Sequence, residues 1–123
     1  MLEAYSLNVA VGANANIPFN STTIQKGCTA TKSAADTINL NKCGVYMVSV
    51  DCSASASTTI QLVKDGVLQP QAQSTGVSPS FITLVQVDHN NSCCACDSPT
   101  VIQVRNTTAV TLTDANITIT KVV

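Results

Sequence analysis

The side chains whose types and spacing could do chemistry fall in one short run, His89-Asn90-Asn91-Ser92-Cys93-Cys94-Ala95-Cys96. Thiols and an imidazole this close together suit zinc ligation or disulfide formation. Zinc would draw on His89, Cys93 and Cys96, imidazole and thiolate being its usual protein donors. The pattern opposes that chemistry: Cys93 and Cys96 stand at Cys-x2-Cys spacing but no second such pair accompanies them, the adjacent Cys93 and Cys94 do not chelate one ion comfortably, and His89 is the only histidine. No metal centre is therefore expected. Disulfide formation remains open for Cys28, Cys43, Cys93, Cys94 and Cys96, within the loop, back to Cys28 or Cys43, or between protomers, beside reduced thiols in a particle assembled inside a cell. Cys43 and Cys52 cannot bridge each other. They lie nine residues apart on one extended run, about 30 Å at roughly 3.3 Å per residue, whereas bridged Cα atoms lie within about 7 Å. Cys52 instead shares a strand phase with Tyr46 and Val48 and is expected as a buried free thiol behaving as a small hydrophobe.

Other constellations fail on geometry. Asp51, Asp88, Asp97 and Asp114 belong to no Asp-x-Asp-x-Asp-Gly calcium loop. His89 follows Asp88 directly, and neighbours on a strand point to opposite faces, so no Ser-His-Asp or Cys-His pairing can be argued. No glycine-rich phosphate loop is present. Four Asn-x-Ser/Thr sequons, at Asn20, Asn90, Asn106 and Asn116, are expected by chance in so Asn- and Thr-rich a chain, and they matter only in a eukaryotic secretory pathway. The expectation is a protein without catalysis or cofactor.

Composition points the same way. Charged residues are 11% of the chain and the net charge is -1, so there is no basic footprint for nucleic acid or an anionic membrane surface. The hydrophobic 45% is made of Ala, Val, Ile and Leu with no Trp, and Ser, Thr, Asn and Gln fill most of the rest, a mixture that favours strands and polar turns. No apolar run approaches the roughly 20 residues of a membrane span. The opening MLEAYSLNVAV lacks the basic and apolar regions of a secretory signal. The 123 residues suffice for one domain, 1–123, that folds without a staple.

The element that must organise such a domain is residues 37–53, TINLNKCGVYMVSVDCS. After Gly44, Tyr46, Val48, Val50 and Cys52 form one apolar face, while Val45 and Met47 make the opposite face apolar for half its length. A strand with one wet face alternates cleanly, so this one is expected to be central, its second face covered over part of its length, another copy of the chain being one candidate cover. Around it lie expected strands at 5–11, 22–28, 58–63, 81–88, 100–106, 109–113 and 116–122, with 29–35 as an exposed loop or frayed strand. Residues 12–16 are turn chemistry. Pro18 and Pro70 place 17–19 and 67–73 at edges, and Asp65-Gly66 marks a hairpin. Eight to ten short strands without helical periodicity give an all-β sandwich or barrel.

The order of 5–19, then 38–50 with Gly44-Val45-Tyr46 at its middle, then Gln61-Leu62-Val63-Lys64-Asp65-Gly66, then 81–87, 101–106 and 117–121 resembles the jelly roll of tumour necrosis factor and the complement head. In its aromatic-poor, Ser/Thr/Ala-rich texture the chain is similar to BclA C-terminal-like trimeric heads of spore surfaces and phage fibres. The resemblance implies a jelly-roll β-sandwich of antiparallel strands, a homotrimer and no catalysis. The residues expected to face the trimer partners are Tyr5, Leu7, Val45, Met47, Val85 and Val87. The implied role is a head on a particle, a virion first of all (head fibre, capsid decoration or tail-tip head), contacting a capsid or tail component and host surface glycans or a receptor. A spore-surface head and a secreted cytokine-like ligand are the alternatives. Three departures stand out: no Gly-x-y collagen stalk precedes the head, Val48 occupies a place often aromatic, and the cysteine run at 90–98 has no counterpart.

Overall fold

The structure is a computed structural model describing residues 1–88 and 99–123. Among these residues there are eleven strands and no helix: β1 (Leu2–Val11), β2 (Ala15–Asn16), β3 (Ser21–Gln25), β4 (Ala30–Ala34), β5 (Thr37–Leu40), β6 (Gly44–Ala54), β7 (Thr58–Lys64), β8 (Val67–Gly76), β9 (Ser80–Val87), β10 (Thr100–Asn106) and β11 (Val110–Lys121). They form two antiparallel sheets. The first, sheet A, has the order β3-β1-β11-β6-β9; the second, sheet B, has the order β4-β5-β10-β7-β8, with β2 added beside β10. This is the expected sandwich, and β6 lies inside sheet A, between β11 and β9, as its two-sided apolar pattern requires.

The core sits between the sheets. Leu2, Ala4, Tyr46, Val48, Val50, Cys52, Ala115, Ile117 and Ile119 of sheet A meet Ile38, Leu40, Ile60, Leu62, Ile102 and Val104 of sheet B. Tyr46 is wholly buried, and its hydroxyl donates to the Lys42 carbonyl at 2.8 Å and accepts from the Lys42 amide at 3.3 Å. A buried phenol needs such partners, and these tie the turn before β6 to the core. Ser6, also buried, donates to the Pro18 carbonyl at 2.7 Å and accepts from the Asn20 amide at 2.8 Å. That pair fastens residues 17–20, whose Ile17 and Phe19 close the side of the core.

Local chemistry accounts for the turns. Asp65 and Gly66 both have positive φ, 49° and 81°, the conformation of a two-residue hairpin turn, so the Asp-Gly reading holds. Gly44 has φ 140°, and a Cβ there would strike the Val123 backbone oxygen and the Lys121 side chain. Only glycine fits where the chain end crosses the start of β6.

Three expectations need correction. Residues 30–34, read as a loop or frayed strand, form edge strand β4. The expected strands 109–113 and 116–122 are one strand, β11, with a register shift between Leu112 and Asp114 against β6. And β1 does not keep a single phase: Leu2, Ala4 and Ser6 point inward, then Val9 and Val11 do, because Asn8 adopts φ 51° between them. The neighbouring β11 changes phase at the same level, Val110 and Leu112 being buried on one side of Thr113 and Ala115, Ile117 and Ile119 on the other. Leu7 pairs with Asp114 and Val9 with Leu112, so the two irregularities lie side by side. A lone phase change would carry one strand's apolar set to the wrong face; the paired change keeps both sets in the core.

Candidate oligomer interface

The outer face of sheet A carries the exposed apolar side chains that a partner could cover. Cross-strand register arranges them in rows. Met47 of β6 lies opposite Leu84 of β9 and Thr120 of β11. Ser49 lies opposite Ile82 and Thr118. Tyr5 of β1 lies opposite Asn116, and Leu7 opposite Asp114. Ile82, Leu84 and Leu7 are 70%, 62% and 63% exposed, and Met47 is 37% exposed. Two apolar patches result. One, of Val45, Met47, Ile82 and Leu84, occupies the β6–β9 side; the other, of Tyr5 and Leu7, occupies β1. Between them runs the polar strip of β11, Asn116, Thr118 and Thr120.

Four of the six residues expected at an interface, Tyr5, Leu7, Val45 and Met47, lie on this outer face. Val85 and Val87 do not. Val85 is 4% exposed in the core, and Val87 packs against that core with Phe81. The outward side chains of β9 are Ile82 and Leu84, which the sequence reading left unassigned. Phe81, in phase with Val85 and Val87, was the available signal: a large aromatic in a chain so poor in them marks the core side of its strand.

Position on the edge sharpens the point. Among the described residues β9 pairs only with β6, which leaves its other backbone edge without a strand partner there. The Lys64 ammonium donates to the Gln86 carbonyl on it at 2.7 Å, and charge on an edge is one way that chains discourage unregulated strand pairing. A cleft of about 250 Å³ beside it is lined by Cys43, Gly44, Val45, Gln86, Val87 and Asp88.

The cysteines separate into distinct environments. Cys52 is a free, buried thiol under sheet A; burial first, then the charges of Asp51 and Asp114, pushes its pKa up to about 12. It is an inert core group, as expected. Cys28 is also a free thiol, exposed in the turn after β3, so the expected bridge from it to another cysteine of the same chain is not formed. Cys43 is disulfide-bonded, to neither of those two. His89, Cys93, Cys94 and Cys96, and with them the zinc reading, lie outside the described residues. Among the described residues no three His, Cys, Asp or Glu side chains converge on a metal position.

The sequon at Asn106 is closed to glycan. Asn106 is wholly buried; its Nδ2 donates to the carbonyls of Gly12 at 3.2 Å and Thr108 at 2.6 Å, while its Oδ1 accepts from the Thr58 hydroxyl. The residue clasps the turn after β1 to the ends of β7 and β10.

No family model matches the chain, and no curated protein sequence does. Solved structures do. The globular domain of zebrafish complement 1qA aligns with TM-score 0.77 at 8% identity, over 99% of this chain and 96% of that one. The PRD1 vertex protein P5 aligns with TM-score 0.64 at 16% identity, over 99% and 96%. Murine APRIL aligns with TM-score 0.64 at 9% identity, over 98% of each chain. The chain has the TNF-like, C1q-like jelly-roll fold. In this jelly roll, the sheet bearing Leu7, Met47, Ile82 and Leu84 is the one built from the first and last long strands and β6.

Proposed function

We propose that this jelly roll is a non-enzymatic head that assembles as a homotrimer through the outer face of sheet A and is displayed on a particle surface. The observation that carries the reading is the exposure of Leu7, Met47, Ile82 and Leu84 on that face. Fully burying such side chains yields about 1.5–3 kcal/mol each. The two patches sit at opposite sides of the sheet, with polar β11 between them. Patch against patch in head-to-tail fashion therefore covers both, and a head-to-tail contact that closes gives a ring. The jelly-roll resemblance read in the sequence implies the same stoichiometry.

Display on a phage virion, as head fibre, capsid decoration or tail-tip head, is supported by the likeness to the PRD1 vertex protein. Three weak sites held together would give such a head avidity for a host surface. A second reading, an extracellular ligand, is favoured by the likeness to complement 1qA and APRIL. Solution mass tests the trimer. Light scattering on the eluting protein should give about 38 kDa, three times 12.8 kDa, with and without reductant. A species of single-chain mass in both conditions overturns the reading, and a trimer only without reductant replaces apolar burial with disulfides. Mass spectrometry of purified virions or spores from the source organism separates the particle assignments.

A further inference from the structure

We infer that the outer face of sheet B holds a binding site for an acidic saccharide, centred on Arg105. Arg105 is the only arginine, and it lies on β10 with its side chain outward, since Ile102, Val104 and Asn106 are the inward set. Its Nε is covered and meets no acceptor. No described residue supplies its guanidinium with a hydrogen bond or an ion pair. A guanidinium is charged at every relevant pH and carries five donors. Leaving it half-buried without an acceptor is costly, and such an unsatisfied group calls for a reason.

The surroundings supply one. Cross-strand neighbours of Arg105 are Gln61 on one side and Asn16 on the other, and Gln103 lies two residues away on the same face. Beyond Gln61 comes Gln73. These are neutral amides. Gln61, Gln73 and Gln103 each spend one Nε2 hydrogen within the chain, on the Gln69 carbonyl, the Pro70 carbonyl and the Thr37 hydroxyl, and each has a second N–H and a carbonyl oxygen for a ligand's hydroxyl groups. The acids nearest this face are engaged by other groups: Asp36 accepts from the Thr37 hydroxyl at 3.0 Å, which itself accepts from Gln103, and Asp65 accepts from the Val101 amide at 2.8 Å, while Glu3, Asp51 and Asp114 belong to sheet A. A single unneutralised fork set among amides matches a ligand with one carboxylate and many hydroxyls. An acidic sugar has that chemistry. An acidic peptide would be better met by several cations, and this face has one.

The site belongs to a single chain, so it stands or falls apart from the trimer. The test is a ¹⁵N-NMR titration of the full chain with sialyllactose, a glucuronate oligosaccharide, neutral lactose and an aspartate-rich peptide. Sialyllactose or the glucuronate should shift the Arg105 Nε–H signal and the amides of Asn16, Gln61 and Gln103, and which one does so names the sugar; lactose should not. Arg105→Met should weaken that binding about tenfold or more, the loss expected for a charged hydrogen bond. Its melting temperature should stay at or above that of the parent, because the unpaired charge is gone. Equal shifts by lactose, stronger shifts by the peptide, unchanged binding by Arg105→Met, or no shift with any probe would overturn the inference.

Discussion

The two sheets of this sandwich share one core and turn opposite chemistries to the outside. Sheet A presents Leu7, Met47, Ile82 and Leu84 uncovered, separated by the threonines and asparagine of β11. Sheet B presents Asn39, Gln61, Gln73, Gln103 and Arg105, with hydroxyl contacts such as Thr59 to Thr75 at 2.6 Å, and its exposed apolar side chains, Val67 and Leu68, are confined to the start of edge strand β8. Both faces have the same strand geometry, so backbone alone does not explain the contrast. Exposed apolar side chains grouped on one face mark a contact surface, whereas an amide-rich face stays wetted and keeps its hydrogen-bonding groups available. On the two proposals made above, the contrast is a division of labour, with one face for self-association and the other for a soluble ligand.

The strongest way to break that comparison is to move charge between the faces. Ile82→Glu with Leu84→Glu should convert the trimer to single chains in light scattering, with the circular dichroism of the fold kept. The matched pair Gln61→Glu and Gln73→Glu should leave the mass unchanged. If both pairs behave alike, the faces are not functionally distinct.

A smaller effect sharpens where the association face ends. Gly44→Ala puts a methyl group into the Val123 carbonyl and Lys121 at a φ that only glycine adopts readily. It should destabilise by about 1–3 kcal/mol in chemical denaturation. A wild-type midpoint would show that the chain end does not press on β6.

The smallest effect lies beneath the same face. The Cys52 thiol has its pKa raised from 9.0 to about 12 in the folded chain. The unfolded chain therefore loses its proton first as the pH rises, and the thiol's contribution to stability, intact below pH 9, fades between 9 and 12. Wild type should lose more stability across that window than Cys52→Ala does, measured by urea unfolding at each pH. Parallel curves would remove the coupling between Cys52, Asp51 and Asp114.

Much of the fold was legible in the sequence. Alternation from Val45 to Cys52 located the central strand, Asp65-Gly66 located a hairpin, and Pro70 placed β8 at an edge, since each is a local signal with a local cause. What escaped depended on neighbours. Asn8 looks like any outward polar residue until its positive φ reverses the phase of β1. Thr113-Asp114 looks like a turn until β6 and β1 hold it as an irregularity within one strand. Tyr5, Leu7, Val45 and Met47 were expected at a trimer contact, and it is the pairing of β1, β11, β6 and β9 that puts them on one outer face. β9 carries apolar residues in both phases, so alternation does not say which is inside; contact with the core decides it for Phe81, Val85 and Val87. Arg105 gave no sign at all, because an unpaired guanidinium is visible only in the arrangement of its neighbours.

The position of β11 has a consequence for how the molecule is made. It is the last strand in the chain, and it lies between β1 and β6, pairing with both. A nascent chain emerging from the ribosome therefore cannot close sheet A until β11 is out. Until then β1 waits for a partner more than a hundred residues away, and pairings of such long range are slow to form. The two apolar patches are joined into one face only once β11 is in place between them, so self-association that uses both waits for that strand.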